Sequence, residues 1–493
     1  MPKPFIIALD QGTTSTRALL FDFDGIIVSE GRRAHEQIHQ RPDWVSHNAN
    51  EIFFNSVECV KKALEIAGVS ASQVAAIGVA NQRETCLLWD SITGEPACEA
   101  VVWQCRRTSN ICAEAEADGM AGVVRERTGL IIDPYFSATK LKWMLGRHNR
   151  GGLLAGTIDS YLIWRLTGGR RHVTDYTNAS RTMLFNIKTL DWDKELLEYF
   201  GVDRGLLPDL IPNAGIIGET EAGLFGAPIP IAGSAGDQHA ALFGQACLAP
   251  GDVKNTYGTG CFILKNIGDR PVTAQGRLLT TLAWHLGEKA AYAFEGGVFN
   301  AGAAVEWLIR DMGLAGSVEE IKAICEETPD TDGAYFVPAF SGLGAPHWDM
   351  YARGAICGMN LSTNRRHIVR AVMESIAYSS RDVIDHMNEV SRLPVSILRA
   401  DGGVSRSDFT MQFQSDLLGV PVERPAVTET TAFGAFLLAG IGVGLFKGLD
   451  EIKSKRAVER TFYPSGTKND SDALESRYAG WKKAVGRSMG WAG

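Results

Sequence analysis

The segment IALDQGTTSTRALLFD, residues 7–22, places a short polar stretch between two apolar runs. The apolar runs predict the two strands of a buried hairpin, over residues 5–9 and 17–23. A turn that only reverses the chain needs one Gly or Asn. This turn carries an Asp, a Gln, a Gly, three Thr, a Ser and an Arg, which is more hydrogen-bonding equipment than chain reversal requires.

The composition of this turn suits a phosphate group. Glycine lets backbone N–H groups approach phosphate oxygens, hydroxyls add donors, and a guanidinium adds positive charge; the residues concerned are Gly12, Thr13, Thr14, Ser15 and Arg17. Asp10, at the end of the first strand, is placed to hold a hydrated Mg²⁺. The alternative is a Thr-rich hairpin whose hydroxyls bind only nearby backbone groups. The sequence has no Gly-x-x-x-x-Gly-Lys-Ser/Thr motif, which argues against a P-loop protein.

Length and composition limit the class of protein. The 493 residues predict two large or three smaller domains, and a hydrophobic content of 45% supplies a large core. A net charge of −8 argues against a broad nucleic-acid or membrane surface. Nine scattered cysteines without Cys-x-x-Cys spacing are typical of a reduced, cytoplasmic protein. Because no signal peptide is visible and the longest apolar run, residues 432–446, is too short to span a bilayer, we expect no stable membrane insertion.

Strands alternate with helices along the first half of the chain, which predicts an α/β fold. A third strand follows Asp24-Gly25, and a helix begins near Asn50. Three later strands, at residues 74–80, 100–103 and 229–232, each end in a polar motif. Ligands in such folds bind beyond the carboxyl ends of strands, so these motifs are site candidates: NQRET (81–85), QCRR (104–107) and GSAGDQ (233–238).

The same order of elements begins again near residue 251. A strand at 253–257, the turn Gly258-Thr259-Gly260 and a strand at 261–265 repeat the opening hairpin. A further strand at 291–295 and a helix from about Asn300 extend the match. We therefore expect two similar domains, residues 1–250 and 251–493, facing each other across a cleft, with a second phosphate-binding turn at Gly258.

Individual side chains at the strand ends indicate a small polar ligand. Arg83 and Glu84 supply hydrogen bonds and Trp103 an apolar face, a combination that suits a polyol. Asp237 precedes a helix, where it acts as an N-cap, as a general base, or as both. Gly403 follows Gly402 before another helix, and this pair either admits a flat ring such as adenine or forms a plain strand-to-helix turn.

Nine sequence blocks together resemble the FGGY family of carbohydrate kinases, from Phe5 to about Trp481. The resemblance implies an actin-like ATPase fold, with two ribonuclease-H-like domains around a deep cleft. It implies phosphorylation of glycerol to sn-glycerol 3-phosphate by ATP with Mg²⁺, in a homodimer or tetramer. The blocks are DQGTTSTR, NQRET, WQCRR, DPYFSATK, HVTDYTNASRTMLFN, AGDQ, NTYGTGCF, GLGAPHWDMYARG and RADGG.

The resemblance also implies roles for individual positions. The glycerol hydroxyls would be bound by Arg83, Glu84, Tyr135, Asp237 and Gln238, with Trp103 and Phe262 on the carbon side. Asp237 would be the base, and Asp10 would position Mg²⁺. The phosphates would contact Thr13, Thr14, Ser15, Arg17, Gly258, Thr259 and Gly302, and the adenine would lie at Gly403 and Ser407.

Some positions depart from the family pattern. Ser407 stands where Asn is frequent, so one adenine contact is expected to be weaker or water-mediated. Residues 224–228 contain no Arg, and no His lies between Arg181 and Gln238, so control by fructose bisphosphate or by the sugar phosphotransferase system is expected to be absent. Two alternatives are a sibling kinase for a pentulose, which usually has Met-His in place of Gln82-Arg83, and an actin-like ATPase without an acceptor.

Overall fold

The computed structural model describes residues 4–148, 151–274, 276 and 278–492. The strands are β1 Phe5–Gln11, β2 Ser15–Asp22, β3 Ile27–Ala34, β4 Ile38–Arg41, β5 Trp44–His47, β6 Val74–Asn81, β7 Cys86–Asp90, β8 Ala100–Val101, β9 Leu153–Thr157, β10 Val173–Asp175, β11 Phe185–Asn186, β12 Asp191–Trp192, β13 Asp209–Ile211, β14 Ala214–Glu219, β15 Pro230–Gly236, β16 Val253–Tyr257, β17 Cys261–Gly268, β18 Leu279–Leu286, β19 Lys289–Val298, β20 Tyr335–Val337, β21 Ala355–Cys357, β22 Leu398–Asp401, β23 Val422–Pro425 and β24 Val458–Phe462.

The α-helices are α1 Ala49–Ala67, α2 Ser109–Ala117, α3 Met120–Thr128, α4 Ser137–Leu145, α5 Ile158–Leu166, α6 Tyr176–Ala179, α7 Lys194–Phe200, α8 Ala222–Phe225, α9 Asp237–Gly244, α10 Gly302–Glu306, α11 Val318–Glu327, α12 Arg365–Ser391, α13 Asp408–Leu418, α14 Thr430–Gly442, α15 Leu449–Lys455 and α16 Lys468–Ser488. In the part of the chain that the structure describes, no helix combines the length and apolar content needed to cross a membrane.

The two large sheets repeat one strand order. The first runs β14-β15-β6-β1-β2-β3, and the second runs β18-β19-β17-β16-β22-β23-β24. In the first sheet β1 is antiparallel to β2 and parallel to β6, and in the second β16 is antiparallel to β17 and parallel to β22. The flanking pairs also correspond, since β2–β3 and β17–β19 are antiparallel, and β6–β15 and β22–β23 are parallel. The predicted internal repeat is confirmed.

The first strand is apolar from Phe5 to Leu9 because both faces of its sheet are covered. Ile7 and Leu9 pack on the side of α1, whereas Ile6 and Ala8 pack on the side of α14. Asp10 stands opposite Arg17 in the β1–β2 register. This placement puts the polar turn of the hairpin at the open edge of a fully buried layer.

Helix α14 belongs to the second half of the chain but covers the first sheet. A Cβ on Gly78 of β6 would lie 2.1 Å from the carbonyl oxygen of Ala435, so only glycine allows this approach. Phe436 stacks on Phe21 with ring centroids 4.9 Å apart. Helix α9 in turn packs in one cluster with Leu264 and other residues of the second sheet. The two halves therefore share a hydrophobic core.

Two local predictions are corrected. The strand predicted at residues 100–103 is confined to Ala100–Val101, and it belongs to a smaller sheet, β4-β5-β8-β7-β9, rather than lying beside β6. Helix α9 begins at Asp237, with Gly236 in the N-cap position, so the Asp237 side chain is not its N-cap. All nine cysteines are free thiols, as the scattered spacing predicted.

Candidate active site

The ends of three parallel strands, β1, β6 and β15, bring together the segments that the sequence identified. Gln11 is level with Asn81, and Asn81 is level with Gly236. The Gln82 N–H donates to the Gln11 carbonyl over 2.7 Å, which ties the two strand ends together. The residues that follow, Gly12, Arg83 and Asp237, therefore emerge side by side at one edge of the sheet, as predicted.

Arg83 lies at the centre of this edge, with its side chain only 2% exposed. Its Nε lies 3.2 Å from Oδ1 of Asp237, and its Nη2 donates to Glu295 over 3.1 Å. The same Nη2 lies 3.5 Å from the hydroxyl of Tyr135. The predicted residues Arg83, Asp237 and Tyr135 thus lie together in one cluster of side chains.

Glu84 adopts a strained backbone conformation beside Arg83. Its φ of 60° lies in the left-handed region, and the Thr85 N–H donates to the Arg83 carbonyl over 2.7 Å to close the tight turn. The Glu84 carboxylate accepts from Nε of Arg181 over 2.6 Å, and burial raises its pKa. Lys140 donates to the Glu84 carbonyl over 3.1 Å. Such over-determined strain is typical of binding sites.

Aromatic side chains form an apolar wall next to these polar groups. Trp103 meets Tyr135 edge to face with centroids 5.6 Å apart, and its Nε1 donates to Oγ1 of Thr13 over 2.9 Å. Across the cleft, half-buried Phe262 stands opposite Thr256 and Gly297 in the register of the second sheet. Directly opposed residues share a face, so Phe262 lies on the sheet face that also carries Glu295.

Both predicted phosphate-binding turns are present, and backbone hydrogen bonds fix the conformation of each. In the first, the Gly12 N–H donates to the Ser15 carbonyl over 2.9 Å, and Thr14 is exposed. In the second, the Gly258 N–H donates to the Gly260 carbonyl over 2.8 Å. The Gly302 N–H, at the start of α10, donates back to the Gly258 carbonyl over 2.9 Å. Thr259 is exposed at the tip of the second turn.

Arg17 is paired with two carboxylates. Its Nη2 lies 2.6 Å from Oδ2 of Asp10, and its Nη1 forms an ion pair with Glu429, which immediately precedes α14. Burial raises the pKa of Asp10, although the neighbouring guanidinium acts in the opposite direction. Arg17 therefore connects the first hairpin to the second half of the chain, a contact that the sequence did not reveal.

Three further charged residues of the site escaped prediction: Arg181, Lys254 and Glu295. Lys254 donates to Oε1 of Gln238 over 2.5 Å and to Oγ1 of Thr256 over 2.7 Å. Burial opposes ionisation of Glu295, but Arg181 and Arg83 hold its pKa below its usual range. One signal was available, because Lys254 and Glu295 are charged residues within the strands predicted at residues 253–257 and 291–295, and buried charges require partners.

The glycines predicted at the adenosine side differ in their surroundings. Gly402 has a φ of 87°, and a Cβ there would lie 2.5 Å from the Tyr257 carbonyl oxygen. A Cβ on Gly403 would meet no atom within 4 Å, so open space faces this residue. The Ser407 hydroxyl caps α13 by accepting from the Thr410 N–H over 3.2 Å. The side chain that was predicted to contact the adenine is therefore already hydrogen-bonded to the helix.

The carboxylates of the cleft fit a magnesium ion shared with a nucleotide. Asp10 is buried, and the negative charges of Asp237 and Glu429 both act on it. Among the described residues, no group of three or more His, Cys, Asp or Glu side chains forms a metal cage. Mg²⁺ characteristically binds one or two carboxylates and completes its shell with water and phosphate oxygens, which this donor set allows.

The repeated sheets, the paired glycine turns and the acidic cleft define an actin-like ATPase fold with a cluster of polar side chains at the strand ends. The model of the N-terminal domain of the FGGY family of carbohydrate kinases matches residues 5–244, and that of the C-terminal domain matches residues 253–443. The chain belongs to the FGGY family of carbohydrate kinases.

Named relatives are similar over their whole length. Glycerol kinase 2 of Thermotoga maritima is 52% identical, with 99% of each chain covered. Glycerol kinase of Symbiobacterium thermophilum is 51% identical, with 100% of each chain covered. Among solved structures, glycerol kinase of Plasmodium falciparum with ADP superimposes with a TM-score of 0.92 at 34% identity, covering 98% of each chain.

Proposed function

We propose that this protein transfers the γ-phosphoryl group of ATP to glycerol, which yields ADP and sn-glycerol 3-phosphate. The observation that carries the proposal is the contact of Arg83 with both Tyr135 and Asp237, in a chain half identical over its full length to glycerol kinases. The pocket offers charged hydrogen-bonding groups on one side and the ring of Trp103 on the other. Glycerol has hydroxyls for the first and a C–H surface for the second.

Asp237 would accept the proton of the attacking hydroxyl. The Gln238 N–H donates to Oδ1 of Asp237 over 2.6 Å and, with Arg83, orients the carboxylate towards the pocket. Arg83, Glu84, Tyr135 and Gln238 would hold the acceptor hydroxyls, and Trp103 and Phe262 would cover its carbon atoms. A fixed orientation of acceptor and base is the main contribution that a kinase can make to phosphoryl transfer.

The two glycine turns would hold the nucleotide phosphates from opposite sides of the cleft. Thr13, Thr14, Ser15 and Arg17 would act from the first turn, and Gly258, Thr259 and Gly302 from the second. Asp10 would hold Mg²⁺, which neutralises charge on the β- and γ-phosphates when bound. Gly403 and Ser407 would lie next to the adenine. Approach of the two halves would exclude water, which otherwise competes as the acceptor.

We further propose the setting in which this reaction occurs. The domains would divide at residue 250, with glycerol, phosphate and Mg²⁺ sites in residues 1–250 and adenosine and phosphate sites in 251–493. The protein would act in the cytoplasm as a homodimer or tetramer, without nucleic-acid partners. Because residues 224–228 contain no Arg, millimolar fructose bisphosphate would leave the rate unchanged.

The decisive experiment measures ADP release from Mg-ATP by the purified protein with glycerol, with xylulose, and with neither. We expect rapid release only with glycerol. Rapid release only with xylulose would replace glycerol by a ketose acceptor. Equal release with no acceptor would identify an acceptor-independent ATPase, and the assignments at Arg83, Tyr135 and Asp237 would be wrong.

A further inference from the structure

Four charged side chains form a buried cluster behind the acceptor pocket. Arg83, Arg181, Glu84 and Glu295 have side chains that are 2%, 0%, 1% and 5% exposed. Oε1 of Glu295 accepts from Nη2 of Arg83 over 3.1 Å and from Nη2 of Arg181 over 3.0 Å. Oε1 of Glu84 accepts from Nε of Arg181 over 2.6 Å. We call these four residues the charge cluster.

Glu295 reaches the cluster from the opposite half of the chain. It stands on β19, in the second sheet, whereas Arg83 and Arg181 belong to the first half. Burying ionised groups is costly unless each is paired, so Glu295 is the counter-charge that allows both arginines to be buried behind the acceptor site. Without it, Arg181 would keep its ion pair with Glu84, and Arg83 would keep the Asp237 carboxylate at 3.2 Å but lose the two hydrogen bonds to Glu295.

The remaining charges near the pocket do not replace Glu295. The Asp237 carboxylate lies 3.2 Å from Nε of Arg83, but it also interacts electrostatically with the ammonium of Lys254. His239 is buried, and burial together with the nearby cations lowers its pKa well below the usual value. Loss of the Glu295 charge therefore makes the surroundings of the acceptor more positive by one unit charge.

We propose that Glu295 makes the acceptor pocket selective for uncharged polyols, by cancelling the positive charge that would otherwise attract three-carbon anions. This inference rests on the proposed function, since it concerns the same acceptor site. An isolated guanidinium pair is a strong binder of carboxylate and phosphate. The Nη1 of Arg181 is buried and has no hydrogen-bond partner among the described residues, so this guanidinium has an unused donor.

A role in setting the charge of the pocket and a purely structural role of Glu295 predict opposite changes in the affinity for an anion. If Glu295 only supports the fold, its loss weakens the binding of every acceptor-site ligand. If it sets the charge of the pocket, its loss weakens glycerol binding, because Arg83 is no longer held, and strengthens the binding of an anion. Glycerate is the suitable probe, because it differs from glycerol by a carboxylate in place of one CH2OH group.

The test compares wild type with Glu295→Gln, which keeps the side-chain volume and removes the charge. We expect the KM for glycerol to rise about tenfold and the Ki of D-glycerate, measured against glycerol, to fall at least about tenfold. Calorimetric titration of D-glycerate into each protein gives the same comparison without turnover. An unchanged or weaker affinity of the variant for D-glycerate overturns the inference.

The matched control is Glu374→Gln. Glu374 is also buried and accepts from Nε of an arginine, Arg370, over 2.7 Å, but it lies on α12, outside the pocket. Its substitution should leave the D-glycerate Ki unchanged, and an equal gain in affinity there would also overturn the inference. Wild-type protein that does not phosphorylate glycerol would refute the proposed function instead, whatever the titrations give.

A second variant keeps the test decisive if Glu295→Gln does not fold. Arg181→Gln removes one cation of the charge cluster and leaves its two carboxylates in excess. The inference then requires the affinity for D-glycerate to fall at least about tenfold more than the affinity for glycerol does. Unchanged affinity for D-glycerate in Arg181→Gln would contradict the electrostatic account.

Discussion

Asp237 is the first residue of α9, at the point where β15 ends, and its side chain remains 30% exposed in an otherwise buried cluster. Its two carboxylate oxygens have different environments, because Oδ1 faces Arg83 and the Gln238 N–H while Oδ2 lies 3.4 Å from Nε2 of Gln238. The position therefore combines a fixed orientation with access to a ligand. A general base needs both properties.

Replacement of Asp237 tests the assignment of the base. Asp237→Asn keeps an oxygen for the neighbouring donors but cannot accept the acceptor proton. We expect kcat to fall by about 10²–10⁴ while the dissociation constant for glycerol changes little. Steady-state kinetics and calorimetry with glycerol measure the two quantities. A kcat near that of wild type would contradict the assignment, and Asp24→Asn, at an 88% exposed side chain, is the control.

The sequence identified the residues of the pocket that follow strand ends, but it did not identify their partners. Arg83, Glu84 and Asp237 stand in local motifs, and a motif is visible from its neighbours. Glu295 pairs with Arg83 across 212 positions, and Arg181 pairs with Glu84 across 97. Pairing at such separations depends on the tertiary structure, which local sequence patterns do not predict.

His172 provides a test of how burial couples protonation to stability. Its Nε2 donates to the Ala155 carbonyl over 3.1 Å, its ring packs against Trp89, and burial lowers its pKa from 6.5 to about 4. Between these values the unfolded chain binds a proton that the folded chain does not. Stability therefore falls as the pH drops from 6.5 towards 4.

We expect His172→Gln to remove this contribution. The free energy of unfolding of wild type, relative to the variant, should decrease by about 2 kcal/mol between pH 7.5 and pH 5, from ~1.4 kcal/mol per pKa unit. Urea unfolding of both proteins at the two pH values measures the difference. A difference that does not depend on pH would show that His172 titrates normally in the folded protein.

At the scale of elements, α9 and α14 form the closest contact between the two halves. A Cβ on Gly434 of α14 would lie 1.8 Å from the carbonyl oxygen of Ala240 in α9. The hydroxyl of Thr430, at the start of α14, donates to Asp401, and that of Thr431 lies 3.5 Å from the Asp237 carbonyl. The helix pair thus links the nucleotide side of the cleft to the candidate base.

Gly434→Ala should destabilise the protein by about 1–3 kcal/mol or more, because the new methyl group meets backbone that cannot move aside. Differential scanning calorimetry would record the loss as a lower Tm. Gly486→Ala in α16 is the matched control, since a Cβ there meets nothing within 4 Å. Removing a helical glycine at that position should stabilise by up to about 1 kcal/mol. Equal Tm values for both variants would contradict the packing argument.

The sequence pattern predicted the long strands of the two large sheets, but it did not predict the sheet to which the shortest strand belongs. Apolar runs predicted β1 and β2. The same order of strand, glycine turn and strand near residue 251 predicted β16 and β17, and with them a second, similar domain. The strand β8 has two residues, Ala100–Val101, and pairs with β5 and β7. A segment this short has no periodicity, so its sheet could not be assigned from sequence alone.

At the scale of the whole molecule, the hydrophobic core that the two halves share argues against independent folding of the two domains that were predicted to divide at residue 250. Helix α14 covers β1, β6 and β15 from the far half of the chain, with Phe433 and Phe436 against Phe21. A fragment that ends at 250 would expose this apolar surface to water. Exposed patches of that kind lead to aggregation rather than to a folded domain.

We therefore expect residues 1–250, expressed alone, to lack a cooperative thermal transition and to bind a hydrophobic dye such as ANS. Coexpression with residues 251–493 should restore a soluble complex, because α14 then returns to the first sheet and α9 to the second. Calorimetry, near-ultraviolet circular dichroism and dye binding on the separate and coexpressed fragments measure this. The separate 251–493 fragment, which lacks α9, serves as the reciprocal case. A cooperative transition of isolated 1–250 near the Tm of the full chain would mean that the first half stabilises itself, and that contact with α14 serves to position the site rather than to complete the core.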